Sequence, residues 1–111
     1  MENGEYEQAS NFFHRSALES PHFKTYELLG ECYIHLKRFK EAIPFLAAAS
    51  ALNRGVRAPS LLSEAFLAIS DYDQAAEAAN VALSREPNNK TALRVKEATA
   101  ETIQKRRDLL G

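Results

Sequence analysis

Cysteine is nearly missing from this chain. Cys32 stands alone among 111 residues, which excludes an intrachain disulfide framework and a cysteine-based zinc finger. An excess of either charge is missing too: 14 Lys and Arg face 15 Asp and Glu, a net charge of -1, where a binder of phosphate backbone shows a basic surplus. No apolar run approaches the ~20 residues that cross a bilayer, and Met1-Glu2-Asn3-Gly4-Glu5 lacks a signal-peptide pattern. A soluble cytoplasmic protein with no membrane and no nucleic acid partner is the expectation. The β-branched residues that favour strands are scarce, with 3 Val and 4 Ile, against 18 Ala and 13 Leu that head the helix scale. The length suits a single domain over 1–111 with a real but thin core, and the composition reads all-α.

Self-comparison exposes a repeat. Gly4-Glu5-Tyr6-Glu7-Gln8-Ala9, Lys37-Arg38-Phe39-Lys40-Glu41-Ala42 and Ser70-Asp71-Tyr72-Asp73-Gln74-Ala75 each place an aromatic three residues before an alanine. Both series step by 33 residues, twice. Between these marks apolar residues recur at steps of three and four, as in Phe23, Tyr26, Leu29, Cys32, Tyr33 and Leu36. The spacing predicts six helices over 5–18, 23–36, 39–53, 58–69, 72–85 and 90–109, with a turn at Gly4 ahead of the first. Asp71 reads as an N-cap and Pro59 as a first-turn proline. Pro44 falls early in its helix and is expected to bend it or delay its start. Linkers of two to five residues force neighbouring helices to pack antiparallel.

Tyr26-Glu27-Leu28-Leu29-Gly30-Glu31-Cys32-Tyr33, followed by Phe39, Ala42, Leu46 and Ala49, resembles a tetratricopeptide repeat. Tyr72, Ala75, Ala79, Ala82 and Pro87, and Tyr6, Ala9, Phe13 and Pro21, resemble parts of further units. The third unit departs from the pattern, with Pro59 at the leading aromatic and Ser63 at the glycine. The resemblance implies antiparallel helix pairs stacked as a right-handed solenoid: a half repeat over 1–21, repeats over 22–55 and 56–89, and a capping helix over 90–110. Gly30 would let a partner helix approach its backbone, with Ala42 and Ala75 filling the close contact. The capping helix would turn Leu93, Val95, Ala98, Thr102 and Ile103 inward.

The resemblance further implies that the first helix of each pair lines a concave groove that holds a peptide of a partner protein. Carried over by position, Lys24, Glu27, Glu31, Ile34 and His35 face it from the middle unit. Arg57, Ser60, Glu64 and Leu67 follow from the third, and Arg94 from the capping helix. Helix geometry agrees for Glu27, Glu31 and His35, which share a face distinct from the Tyr26/Leu29/Tyr33/Leu36 stripe. Chaperone-binding members of the family clamp a C-terminal carboxylate with a Lys/Asn/Arg set. Glu27, Glu31 and Leu61 occupy those places here, so a partner segment with central basic residues suits the groove better. The alternative is that these charges are ordinary solvated helix positions.

Other chemistry finds little support. Glu31 and His35 at i, i+4 could share a metal but lack a third ligand. Cys32 and His35 lack an oxyanion hole and an orienting acid. Lys105-Arg106-Arg107 suits a helix C-terminus. No catalysis, metal or cofactor is expected. Two readings remain: an adaptor binding a partner peptide in the groove, or a self-assembly or scaffold element in which the uncovered face of helix 5–18, with Tyr6, Phe12 and Phe13 as the contacting residues, docks on a second copy or on further repeats of a longer protein.

Overall fold

Six helices carry the chain: α1 (Asn3–Glu19), α2 (Phe23–His35), α3 (Phe39–Leu52), α4 (Arg57–Ala68), α5 (Tyr72–Arg85) and α6 (Lys90–Leu110). The computed structural model describes residues 3–111; Met1 and Glu2, the first residues of the expected half repeat, lie outside it. Among the described residues there is no strand. Local chemistry sets several of the helix starts. His22 Nδ1 accepts the Lys24 N–H at 3.1 Å, Asp71 accepts from Gln74 N–H at 3.3 Å, and Asn89 accepts from Ala92 N–H at 2.9 Å. The α2–α3 and α4–α5 turns repeat one another at 33 residues. Lys37 (φ 59°) and Ser70 (φ 62°) both adopt the left-handed conformation. Arg38 N–H then donates to Tyr33 O at 2.8 Å, and Asp71 N–H to Phe66 O at 2.9 Å, closing the helix ends in the same way.

The stack is elongated, 50 × 27 × 22 Å, because each helix packs on its sequence neighbours and the first helices of successive pairs also touch. Two apolar clusters form its core. Leu29, Tyr33, Ala42 and Leu46 join α2 to α3, with Phe13 of α1 and Leu61 of α4 packed against them. Ala75, Ala79, Ala82, Ala92 and Val95 join α5 to α6, with Phe66 and Leu67 packed against them. Alanine dominates the second cluster, and its methyl groups let backbones come close where Leu would hold them apart.

Four expectations are corrected. Gly4 is helical, inside the first turn of α1, and the turn predicted there is absent. Pro44 delays nothing: α3 starts at Phe39, and Ala42 N–H bonds to Arg38 O across its first turn. The side chain pressed on Gly30 is Leu46 rather than Ala42; a Cβ on Gly30 would fall within 2.5 Å of Leu46 Cγ. On α6 the buried stripe is Ala92, Val95 and Thr99, while Leu93 and Ala98 are exposed. Positions 92, 95 and 99 follow the helical step from the Asn89 cap, whereas the expected set mixed two faces.

Candidate peptide-binding groove

Short connections reverse the chain at every turn, so α2, α4 and α6 run the same way and lie side by side, α2 against α4 and α4 against α6. Ion pairs join these neighbours across the shared face. Glu27, buried to 8% side-chain exposure, receives Lys24 Nζ at 3.1 Å from its own helix and lies 3.7 Å from Arg57 Nε of α4. The Arg57 guanidinium also forks onto both carboxylate oxygens of Glu31, Nε donating at 3.3 Å and Nη2 making the shorter contact. His35 Nε2 stands 3.9 Å from Glu31. One step further along, Arg94 of α6 donates to Glu64 of α4 at 3.1 Å. The hydrogen bonds to Glu31 push the Arg57 guanidinium pKa further up, so its charge is permanent.

Five of the ten predicted groove residues, Lys24, Glu27, Glu31, His35 and Arg57, thus converge on one network, and Glu64 and Arg94 make a second. The other three sit differently. Ser60 is buried, its hydroxyl donating to Val56 O at 2.8 Å. Ile34 is half-buried against the α2–α3 cluster, and Leu67 against the α5–α6 cluster. Each of the three carboxylates has an arginine or lysine partner on this face. Three cations, Lys24, Arg57 and Arg94, balance Glu27, Glu31 and Glu64, so the face is paved with dipoles rather than with net charge.

Of the self-association residues, Phe12 is 63% exposed; Leu18, further along α1, is 75% exposed. Phe13 turns inward onto the α2–α3 cluster, and Tyr6 stacks on His35 with ring centroids 4.3 Å apart. No cluster of three or more His, Cys, Asp or Glu able to hold a metal occurs among the described residues. Burial raises the Cys32 thiol pKa, with Glu31 adding to the effect, the reverse of an activated nucleophile. Lys105 pairs with Glu101 at 3.2 Å and Arg106 with Asp73 at 2.8 Å. No described helix is long and apolar enough to cross a membrane.

Sequence reasoning missed Arg38, whose guanidinium donates to Glu7 at 2.9 Å and to Glu41 at 2.7 Å while lying 5.0 Å from the Tyr33 ring centroid. It also missed Arg85, which donates to the carbonyls of Ser50, Asn53 and Gly55 and so ties α5 to the end of α3. A basic residue 30 to 35 positions after its partner, near one repeat length, is the signal that could have found both.

The family model described as anaphase-promoting complex, cyclosome, subunit 3 matches residues 1–49. No curated protein sequence matches the chain. Several solved structures share its architecture. The first TPR domain of Spaghetti (RPAP3), bound to the HSP90 peptide SRMEEVD, is 23% identical with a TM-score of 0.84, over 91% of this chain and 82% of that one. The OM64 TPR domain of Arabidopsis is 22% identical with a TM-score of 0.81, over 88% of this chain and 83% of that one. The Sgt2 TPR domain of Aspergillus fumigatus is 20% identical with a TM-score of 0.83, over 95% and 72% respectively.

Proposed function

This chain has the tetratricopeptide-repeat fold, and from that premise we propose that it is a non-catalytic protein-interaction module, an adaptor whose face of α2, α4 and α6 holds a segment of a partner protein. The observation that carries this reading is the cross-linked row of ion pairs from Lys24 to Arg94, which joins three consecutive first helices into one polar surface. Such pairs add little to stability, ~0–1 kcal/mol each when exposed. A ligand that offers alternative partners to Glu31, Arg57, Glu64 and Arg94 therefore displaces them at small cost. Because the face is balanced in charge, its ligand is a segment of mixed charge rather than a strongly acidic or basic one.

A neighbour with an acidic peptide bound does not transfer its ligand here. Glu27, Glu31 and Leu61 stand where a carboxylate clamp needs basic and amide side chains, so labelled SRMEEVD is expected to show no saturable anisotropy change with this chain. For the proposed face, the Glu64→Arg/Arg94→Glu double variant preserves the ion pair while reversing its polarity towards a ligand. Affinity capture from cell extract should lose a protein with this variant and retain it with Phe12→Glu. Retention of every captured protein by the reversed pair contradicts the assignment. Charge reversal at Glu27 is a poor test, since its buried carboxylate sits between two cations.

A second reading, self-assembly through α1, draws on the exposed Phe12 and Leu18. Light scattering separates it: mass that climbs with concentration and returns to monomer in Phe12→Glu supports it, and a monomer at all concentrations ends it.

A further inference from the structure

Two open hollows lie along the edge of the stack where the α2–α3 and α4–α5 turns fall. One, of about 260 Å³, is lined by Lys37, Arg38, Phe39, Lys40 and Glu41 around the start of α3 and by Ile69 after α4. The other, of about 580 Å³, is lined by Asp71, Asp73 and Glu77 around the start of α5 and by Ile103 of α6. They are copies of one place in the repeat: 33 residues after Arg38 and Lys40 come Asp71 and Asp73. The sign is reversed. The lining residues carry a net charge of +2 in the first hollow and -3 in the second. Part of this is answered within the chain, since Arg38 pairs with Glu7 and Glu41, and Asp73 with Arg106. Among the described residues Lys37, Lys40 and Glu77 form no ion pair, and all three are exposed.

We infer that this edge is the surface through which two copies of the chain pair, the basic hollow of each set on the acidic hollow of the other. Two observations favour a second copy as the occupant. The first is charge: what one hollow offers, the other lacks. The second is spacing. Every copy holds its two hollows at the same separation and in the same order, so a two-fold rotation that brings one contact into register brings the other with it. Any other partner has to match both the order and the separation. Setting the copies the same way round puts like charge on like, which makes the pair antiparallel.

The side chains suit such a contact. The long stems of Lys37 and Lys40 can lie over the apolar wall at Ile103 while their ammonium groups meet Asp73 and Glu77 of the other copy. Both hollows lie between packed helices, α3 with α4 and α5 with α6. Neither includes a residue of the face of α2, α4 and α6, nor Phe12 or Leu18 of α1. The inference therefore stands apart from both readings of the function. A contact carried by exposed charges is weak and screened by salt.

Sedimentation equilibrium at low salt should show the mass rising with concentration from one chain towards two, in Phe12→Glu as in the wild type. Raising the salt from ~0.05 to ~0.5 M should weaken the association by about tenfold or more. Lys37→Glu/Lys40→Glu makes both hollows acidic, and Asp73→Lys/Glu77→Lys makes both basic. Each variant alone should stay monomeric, and an equimolar mixture of the two should pair again. In the unaltered protein, a carbodiimide should join Lys37 or Lys40 of isotopically heavy chains to Asp73 or Glu77 of light ones. A wild type that is monomeric at every concentration overturns the proposal, as does dissociation by Phe12→Glu, which assigns the contact to α1. Variants that fold, with wild-type circular dichroism, yet fail to pair on mixing overturn it as well. Should either variant not fold, the cross-link decides, and heavy–light links confined to other residues contradict the assignment.

Discussion

Ala42 and Leu46 in the interior and Ala9 and Phe13 at the α1 end hold the same repeat positions, yet the first two are fully buried and the second two half open. The residue types are alike; what differs is whether a helix lies on them. In a solenoid each unit is stabilised by its neighbours, so a given pattern has a different energetic weight at the end and in the middle. The repeat therefore reports what a surface is built to contact even where the described residues leave it partly open.

The largest test of that contrast is truncation. Leu46→Ala should cost ~3–5 kcal/mol in denaturant unfolding, whereas Phe13→Ala should cost less than about half as much, since Phe13 already contacts water. Equal losses would erase the distinction between the two regions. Glycine sharpens it with opposite signs. Gly30→Ala should destabilise by about 1–2 kcal/mol, because its new methyl meets the buried Leu46. Gly4→Ala, with nothing within 4 Å, should stabilise α1 by ~0.5–1 kcal/mol.

The helix starts make a smaller contrast. Asp71 and Arg38 occupy equivalent positions before α5 and α3, but Asp71 caps its helix and Arg38 does not. Asp71→Ala should cost ~1 kcal/mol. Arg38→Ala acts through charge instead. The guanidinium hydrogen bond holds the Glu41 carboxyl below its ordinary range. A lowered folded pKa means that this contribution is present above the ordinary Glu value of about 4.3 and is lost as pH falls through the folded value. NMR titration should show Glu41 returning upward in Arg38→Ala. Smallest of all, Lys37→Gly and Ser70→Gly should each raise stability by less than about 1 kcal/mol by relieving a left-handed non-glycine residue.

The helices were legible because alanine, leucine and the three-four spacing carry the information locally, and five short breakers punctuate it. Gly30 was legible as a close contact, but its partner was not: Leu46 and Ala42 are one helical turn apart, and only packing decides which of them points at Gly30. The stripe on α6 was misread because Leu93 is apolar yet 47% exposed, which composition does not reveal. At the candidate groove, the face of Glu27, Glu31 and His35 followed from helix geometry. The pairing of its charges did not, because Arg57 and Arg94 reach their partners from other helices, 26 and 30 residues away, through long flexible side chains.

The central claim is that the shared face of α2, α4 and α6 is the working surface, and one calorimetric comparison tests it. A captured partner segment is titrated into the wild type and into Glu64→Arg/Arg94→Glu, with unfolding measured on both. Unchanged stability within ~0.5 kcal/mol and affinity weakened by about tenfold or more is the predicted result. Equal affinity for the two proteins would contradict it.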